Sequence, residues 1–153
     1  MINLNNIALT ALSYFYLSQA KKGDALINIG STLGSTSFPG SAVYSASKAY
    51  VINLSESLWW EYKNRGIYVA AFCPGVTATH FHDRAGGSNK TFSEGITQTP
   101  QKVAEQIVKF LEKRGSPLTF AGLSNQIMIF VQRFMTTKMK VNMMGSFSPL
   151  NKK

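Results

Sequence analysis

The feature that most constrains the fold is an alternation of short apolar runs with longer helical patterns. Ala25–Ile29 and Ile67–Phe72 are apolar runs typical of strands buried on both faces. A long helical pattern at about 41–65 lies between them, and another begins at Thr99-Pro100, ahead of the apolar run Leu118–Ala121. Because parallel strands need crossover connections, this alternation predicts a parallel sheet with flanking helices.

Two more helical patterns and one long connection complete the chain. Residues 2–20 predict a helix that ends at Lys21-Lys22-Gly23, and residues 124–143 predict a single basic amphipathic C-terminal helix. The polar, glycine-rich stretch 78–99 is long for a connection, which is typical of a functional loop. We therefore predict one α/β domain over residues 1–153, a partial doubly wound (Rossmann-like) parallel sheet. Its strands, about three in number, are expected near residues 25–30, 67–73 and 117–121.

Positive charge is concentrated in the last third of the chain. The formal net charge is +9, and residues 101–153 hold nine Lys/Arg against two Asp/Glu. No compact basic cluster or nucleic-acid-binding motif accompanies this charge, so nucleic-acid binding is not predicted. The alternatives are a solvated basic face and a basic tail that contacts acidic lipid.

The use of cysteine and histidine excludes some classes of protein. The single cysteine, Cys73, excludes an internal disulfide framework and favours a reducing compartment, so we expect a cytoplasmic protein. No apolar run reaches the ~18 residues that span a bilayer. Ile7–Leu17 is interpreted as an internal helix rather than a signal segment, because no basic residues precede it. His80 and His82 have no further ligands at metal-binding spacing, so no metal site is predicted.

The chemistry predicted for the chain centres on Tyr44-Ser45-Ala46-Ser47-Lys48, where a phenol and an ammonium lie one helical turn apart. A nearby ammonium favours the phenolate. Moving a tyrosine pKa from ~10 to near 7 takes roughly 4 kcal/mol, however, which is more than one screened charge supplies. A bound cationic cofactor or a helix dipole would have to contribute. Ser31 and Pro74-Gly75 follow the first two predicted strands, so they should reach the same sheet edge as the Tyr44 helix.

These segments, in this order, resemble the short-chain dehydrogenase/reductase family. The resemblance covers nearly the whole chain. It implies an NAD(P)-dependent oxidoreductase that moves a hydride between a nicotinamide cofactor and a carbonyl or alcohol group, with NADP favoured over NAD. The matching segments are Ile2-Asn3-Leu4, Ile27-Asn28-Ile29-Gly30-Ser31, Tyr44-Ser45-Ala46-Ser47-Lys48 and Pro74-Gly75-Val76-Thr77-Ala78-Thr79.

The resemblance implies a role for each matching residue. Tyr44 would be the general acid/base, and Ser31 would hydrogen-bond the substrate oxygen. Lys48 would lower the Tyr44 pKa and hold the nicotinamide ribose, while Asn3 would hold a water that relays protons to Lys48. The turn after the second strand would grip the nicotinamide carboxamide or a nearby phosphate. The cofactor-binding residues implied are Tyr44, Lys48, Pro74, Gly75, Val76, Thr77 and Thr79.

Two of these residues have alternative interpretations, and one family motif is missing. Ser31 could cap a turn, and Thr79 could cap a helix. The family's glycine-rich TGxxxGxG turn and the asparagine-rich stretch after it have no match, because the G-x-x-x-G of Gly30–Gly34 belongs to the Ser31 loop. The chain therefore resembles the C-terminal part of such an enzyme, and we expect the 153 residues alone to be inactive. The alternative is a non-catalytic fragment that acts as a binding or dimerisation module.

The resemblance also bears on partners and substrate. It implies a homo-oligomer formed through helices 2–20 and 41–65, with either Trp59 or Trp60 at the contact. A small-molecule carbonyl or alcohol is expected as substrate, lipid-like ones included, with residues 78–99 as the substrate loop. Peripheral membrane contact by the basic C-terminal helix is a further expectation.

Two finer similarities leave the substrate open. One is to a bacterial reductase subgroup, and the other is to long-chain 3-oxoacyl and 17β-hydroxysteroid reductases. The first rests on Thr99–Ala104, Phe120–Asn125 and the basic helix after them, and the second on Phe38-Pro39-Gly40 and Glu61-Tyr62-Lys63.

Overall fold

The computed structural model describes residues 1–79 and 97–148. Its core is a parallel sheet in which the strands lie side by side in chain order. The register places Ala25 beside Tyr68. The predicted α/β class is confirmed, and the strands lie where the apolar runs indicated them. The strands in the described part of the chain are β1 (Ala25–Ile29), β2 (Tyr68–Cys73) and β3 (Leu118–Phe120).

Helices surround this sheet, and the first is preceded by a π-helical segment at Asn3–Ala8. Short 3₁₀ turns occupy Thr32–Ser35 and Lys63–Arg65. Among the residues described, no helix is long and apolar enough to cross a bilayer. The α-helices of these residues are α1 (Leu9–Gln19), α2 (Ala42–Tyr62), α3 (Pro100–Lys113), α4 (Leu123–Gln132) and α5 (Thr137–Ser146).

The prediction of one helix over residues 124–143 is wrong. The chain forms α4 and α5 there, with a break between Gln132 and Thr137. At the break, the Thr136 side chain accepts a hydrogen bond from the backbone N–H of Met139 and so caps a new helix. A threonine hydroxyl that binds the backbone locally competes with continuation of the preceding helix, which the apolar spacing alone does not reveal.

Part of the predicted substrate loop at 78–99 lies outside the described residues. The undescribed part spans 80–96 and includes His80 and His82. The two ends of the loop are described, and they pair with each other through a parallel bridge between Thr77 and Gln98. The loop therefore leaves and re-enters the fold beside the carboxyl end of β2.

The centre of the fold is β2, in which every residue is buried. Side chains alternate across a strand, so Val69, Ala71 and Cys73 face α1 and α2 and join clusters that include Leu17 and Ile52. The opposite face carries aromatic contacts to α3. There the ring centroid of Phe110 lies 5.9 Å from that of Phe72 and 6.2 Å from that of Tyr68. A large, fully buried apolar side chain such as Val69 or Phe72 contributes about 1.5–3 kcal/mol through removal from water.

Two close contacts hold α2 against the carboxyl end of the sheet. Within the core, Asn28 Nδ2 of β1 donates to Ser55 Oγ of α2 at 3.0 Å, which satisfies a buried amide. Nearer the strand end, a β-carbon at Gly34 would lie 2.8 Å from the backbone carbonyl group of Lys48. The 3₁₀ turn after β1 thus lies directly on the backbone of α2, which only a glycine at this position allows.

We expect Gly34→Ala to lower the free energy of unfolding by about 1–3 kcal/mol, because the main chain of α2 must move to admit the methyl group. Gly145→Ala is the matched control. It lies in α5, where the nearest atom, Pro39 Cγ, would be 3.7 Å from the added carbon. That control should leave stability unchanged or raise it by up to about 1 kcal/mol. Urea unfolding followed by circular dichroism measures both, and equal losses in the two variants would contradict the contact.

Candidate active site

Three of the predicted site residues meet at the carboxyl end of β1. Ser31 follows the strand, and its Oγ accepts a hydrogen bond from the backbone N–H of Leu33 at 3.2 Å, which caps the 3₁₀ turn. The Ser31 side chain also hydrogen-bonds Tyr44 of α2. Lys48 Nζ donates to the carbonyl oxygen of Ile29 at 2.8 Å and lies 6.0 Å from the centroid of the Tyr44 ring. Ser31 therefore caps a turn and contacts Tyr44 at the same time, so its two interpretations are compatible.

Small residues within α2 bring the helix close to the sheet and to its neighbours. Ser45 and Ser47, which lie between Tyr44 and Lys48, are both buried. Ser47 Oγ donates to the carbonyl oxygen of Tyr44 at 2.8 Å and accepts from Asn5 Nδ2 at 3.1 Å. The buried serines thus anchor this turn of α2 while Tyr44 and Lys48 remain half-exposed on another face of the helix.

Burial, rather than charge, controls the ionisation of Tyr44 and Lys48. It raises the pKa of Tyr44 above its ordinary value, and the hydrogen bond with Ser31 acts in the opposite direction. Burial also lowers the pKa of Lys48. The lowering of the Tyr44 pKa by Lys48 that the resemblance implies therefore stays a prediction. The Lys48 ammonium donates to the Ile29 carbonyl oxygen, and loss of hydration is the largest cause of both pKa shifts.

A buried thiol lies directly beneath the site. Cys73, the last residue of β2, is fully buried, and the backbone N–H of Ser31 hydrogen-bonds it. Burial raises the pKa of the thiol to about 12, outweighing that N–H and the Lys48 ammonium, both of which favour the thiolate. A protonated thiol is a weak nucleophile. Cys73 therefore acts as a packed side chain that supports the Ser31 loop.

The thiol also restricts the residue that precedes Ser31. A β-carbon at Gly30 would lie 2.5 Å from Cys73 Sγ, whereas its next neighbour, Ile52, would be at an ordinary 3.6 Å. The backbone N–H of Gly30 donates to the carbonyl oxygen of Phe72 at 2.8 Å, so Gly30 cannot easily move away. The position of Ser31 relative to Tyr44 thus depends on a glycine and a cysteine packed against each other.

Asn3 lies apart from this cluster. Its side chain is exposed and makes no hydrogen bond to the other described residues. It does begin the π-helical segment that contacts α2, and such segments are frequent at functional sites. The contact with α2 is made instead by Asn5, whose only signal in the sequence was its nearness to Asn3.

The turn after β2 reaches the same edge of the sheet. The backbone N–H of Thr32 donates to the carbonyl oxygen of Pro74 at 3.1 Å, which joins this turn to the Ser31 loop. Thr77 Oγ1 donates to the Gly75 carbonyl oxygen at 3.3 Å. Of the other predicted turn residues, Val76 is half-buried and Thr79 is exposed.

Sequence reasoning missed a residue of α4 that packs on this turn. A β-carbon at Gly75 would lie 2.6 Å from Asn125 Nδ2, which itself donates to the carbonyl oxygen of Ala121 at 2.6 Å. No local pattern connects Asn125 with Gly75, because they are brought together only when α4 folds back over the sheet edge. Gly75 thus leaves room for the Asn125 side chain.

A groove of about 490 Å³ lies elsewhere on the described residues. It is lined by the segment 34–39 and by the face of α2 that carries Ala42, Ala46 and Ala49. Tyr44 and Lys48 project from the opposite face of that helix, because four residues complete about one turn. The candidate site is therefore the sheet edge at the carboxyl ends of β1 and β2 rather than this groove.

Comparison with known proteins identifies the family of this chain. Residues 1–89 match the family model described as short chain dehydrogenase. Alcohol dehydrogenase 1 of Ceratitis capitata is 38% identical over 73% of this chain and 48% of its own length. The FabG 3-oxoacyl-[acyl-carrier-protein] reductase of Rickettsia bellii is 32% identical over 61% of this chain and 41% of its own.

Solved structures give the same result. A short-chain dehydrogenase from Sphingobium yanoikuyae in complex with NADPH superimposes with a TM-score of 0.70 at 28% identity, covering 89% of this chain and 56% of that one. A 7β-hydroxysteroid dehydrogenase structure gives a TM-score of 0.75 at 22% identity over 94% of this chain and 57% of that one, a likeness of fold alone. The chain belongs to the short-chain dehydrogenase family. It spans about half the length of the curated relatives it matches.

The contact between Gly30 and Cys73 can be tested by a double-mutant cycle. Gly30→Ala alone should lower the free energy of unfolding by about 1–3 kcal/mol, because its methyl group meets Cys73 Sγ. Adding Cys73→Ala removes the sulfur and should recover part of that loss, giving an interaction energy of roughly 1 kcal/mol or more. Urea unfolding of the four proteins supplies the cycle.

The control is a second cycle that combines Cys73→Ala with Gly145→Ala. The carbon added at residue 145 would approach only Pro39. Those two changes should be additive. Additivity in the Gly30 cycle as well would show that the sulfur does not determine the identity of residue 30.

Proposed function

We propose that this chain carries the proton-transfer half of an NAD(P)-dependent oxidoreductase that interconverts carbonyl and alcohol groups. The observation that carries the proposal is the convergence of Ser31, Tyr44 and Lys48 at the carboxyl end of β1. Membership of the short-chain dehydrogenase family supports it, as do the alcohol dehydrogenases and reductases among the relatives. The substrate class is a small-molecule carbonyl or alcohol, with lipid-like compounds included.

The donor set suits the nicotinamide end of such a cofactor. Lys48 and Tyr44 offer an ammonium and a hydroxyl suited to a ribose, and the turn at Pro74–Thr79 offers backbone groups beside them. The NADPH held by the Sphingobium yanoikuyae relative supports NADP over NAD. The adenosine end of the cofactor has no matching set of residues in this chain, because the sequence lacks the glycine-rich turn that binds a pyrophosphate. When bound, the cofactor supplies or accepts the hydride, which no side chain can do.

The chain's own residues supply the proton and orient the oxygen. In reduction, the Tyr44 hydroxyl donates its proton to the carbonyl oxygen while the Ser31 hydroxyl hydrogen-bonds the same oxygen. A raised pKa keeps Tyr44 protonated at neutral pH, which suits a proton donor. Alcohol oxidation needs the phenolate instead, so a cation must stabilise it. Lys48 can do so once its ammonium turns from the Ile29 carbonyl toward Tyr44.

In a protein that joins these residues to a glycine-rich cofactor turn, Tyr44→Phe should lower the turnover rate by at least about 10²-fold, because a positioned acid contributes that much. The dissociation constant for NADPH should stay within a few-fold, since only one hydroxyl is lost. Tyr50→Phe is the matched control, because Tyr50 lies on the same helix and its hydroxyl binds Thr10 instead. Steady-state rates with a carbonyl substrate and NADPH fluorescence titrations measure the two effects.

Two results would overturn these assignments. Unchanged turnover in Tyr44→Phe would remove Tyr44 as the acid. A clear fluorescence change when the 153-residue chain is titrated with micromolar NADPH would show that these residues hold the cofactor without a glycine-rich turn. In that case the proposal that they form only the proton-transfer half would fail, while the role of Tyr44 would still stand.

A second candidate function, a dimerisation module, is favoured by the apolar surface of the first helices. Leu12 and Phe15 of α1 are 68% and 66% exposed, and Trp60 of α2 is 64% exposed, whereas Trp59 packs in the core cluster. Apolar side chains exposed together on neighbouring helices are typical of subunit contacts. We therefore propose a homo-oligomer formed through residues 2–20 and 41–65.

We expect Leu12→Ser/Phe15→Ser to shift the protein toward monomer, since both side chains leave water only in an oligomer. Sedimentation velocity over a range of concentrations measures the shift. Val108→Ser, an exposed apolar position on α3, is the control and should leave the mass unchanged. A wild-type protein that is monomeric at every concentration would exclude this contact.

A further inference from the structure

The outer face of α4 is apolar although it faces solvent. Leu123, Ile127, Phe130 and Phe134 are spaced so that they project from one side of the helix and the turn that follows it. They are 72%, 54%, 58% and 79% exposed, and the rings of Phe130 and Phe134 contact each other edge to face at 5.4 Å. These four side chains form what we call the α4 stripe.

The opposite side of α4 already supplies the contacts that hold the helix on the fold. Ile129 is buried in the core cluster of the sheet, and Gln132 is buried against Met144 of α5, its Nε2 lying 3.7 Å from the Met144 sulfur. The α4 stripe is therefore not needed for docking the helix. A helix that is apolar on both sides normally has an apolar environment on both sides.

The segment that carries the stripe is basic. Arg133 and Lys138 are exposed and Lys140 is half-exposed, while Met139 of α5 and Phe147, which follows α5, add exposed apolar surface. From Gly115 to Lys153 the sequence has five Lys/Arg and no Asp or Glu. An apolar stripe on a segment whose charged residues are all positive is complementary to a surface that is apolar inside and anionic outside.

We propose that α4 and α5 bind the surface of an anionic lipid bilayer, with the α4 stripe among the acyl chains and Arg133, Lys138 and Lys140 at the phosphate headgroups. Helices with this division of apolar and basic residues lie in the plane of the interface without crossing it. The attraction of the cations to anionic lipid adds to the burial of the stripe. This proposal does not depend on the oxidoreductase activity.

Co-sedimentation of the 153-residue chain with vesicles tests the proposal. We expect binding to phosphatidylcholine vesicles that contain phosphatidylglycerol at low salt, and weaker binding to pure phosphatidylcholine or at high salt, where charges are screened. Phe130→Ser/Phe134→Ser should lower the partition coefficient by about tenfold or more, because aromatic area no longer enters the bilayer. Lys138→Glu/Lys140→Glu should weaken binding to the anionic vesicles alone.

The matched control is Lys21→Glu/Lys22→Glu, which makes the same change in net charge at the opposite, amino end of β1 and should bind nearly as well as the wild type. Equal loss in both charge variants would mean that net charge alone governs binding and would overturn the site. Absence of co-sedimentation at low salt would overturn it as well. So would a lipid-free sedimentation mass that falls in Phe130→Ser/Phe134→Ser, since the stripe would then contact a second copy of the chain.

Discussion

The parallel pairing of β1 with β2 is the interaction on which the rest of the structure depends. It places the carboxyl ends of both strands side by side, so that Ser31 and Pro74 leave the sheet as neighbours and the Thr32 N–H binds the Pro74 carbonyl. An antiparallel arrangement would send these two loops to opposite ends of the sheet. The crossover that parallel strands require is α2, and its packing on the sheet delivers Tyr44 and Lys48 to the same edge.

The site is shaped by close packing as much as by its polar groups. The absence of a side chain at Gly34 lets the backbone of α2 pack against the loop that carries Ser31. The absence of one at Gly30 lets the sulfur of Cys73 pack against the same loop, so α2 and β2 both hold it in place. The same packing removes water from the phenol and the ammonium, which raises the pKa of Tyr44 and lowers that of Lys48. Burial therefore stabilises the neutral form of both groups. The ionised pair needs a further charge or solvent contact.

Two apolar surfaces on the outside of the protein differ in their chemistry. The surface of α1, with Leu12 and Phe15, has no basic residue within the helix and fits another apolar protein surface. The α4 stripe belongs to a segment with exposed Arg133 and Lys138 and no acidic residue in its sequence. The difference in charge is the reason why we propose a protein contact for the first surface and a lipid contact for the second.

The sequence alone determined the α/β class, the positions of the strands and the order of the polar groups along one sheet edge. Those features follow from local periodicity and from the rule that parallel strands end together. The break of 124–143 ahead of the Thr136 cap is local, but the apolar spacing does not reveal it. Contacts across the fold bring Asn5, rather than Asn3, against α2 and Asn125 beside Gly75, and they remove water from Tyr44 and Lys48. Desolvation and close approach depend on which atoms meet in the folded chain, and spacing along the sequence does not contain that information.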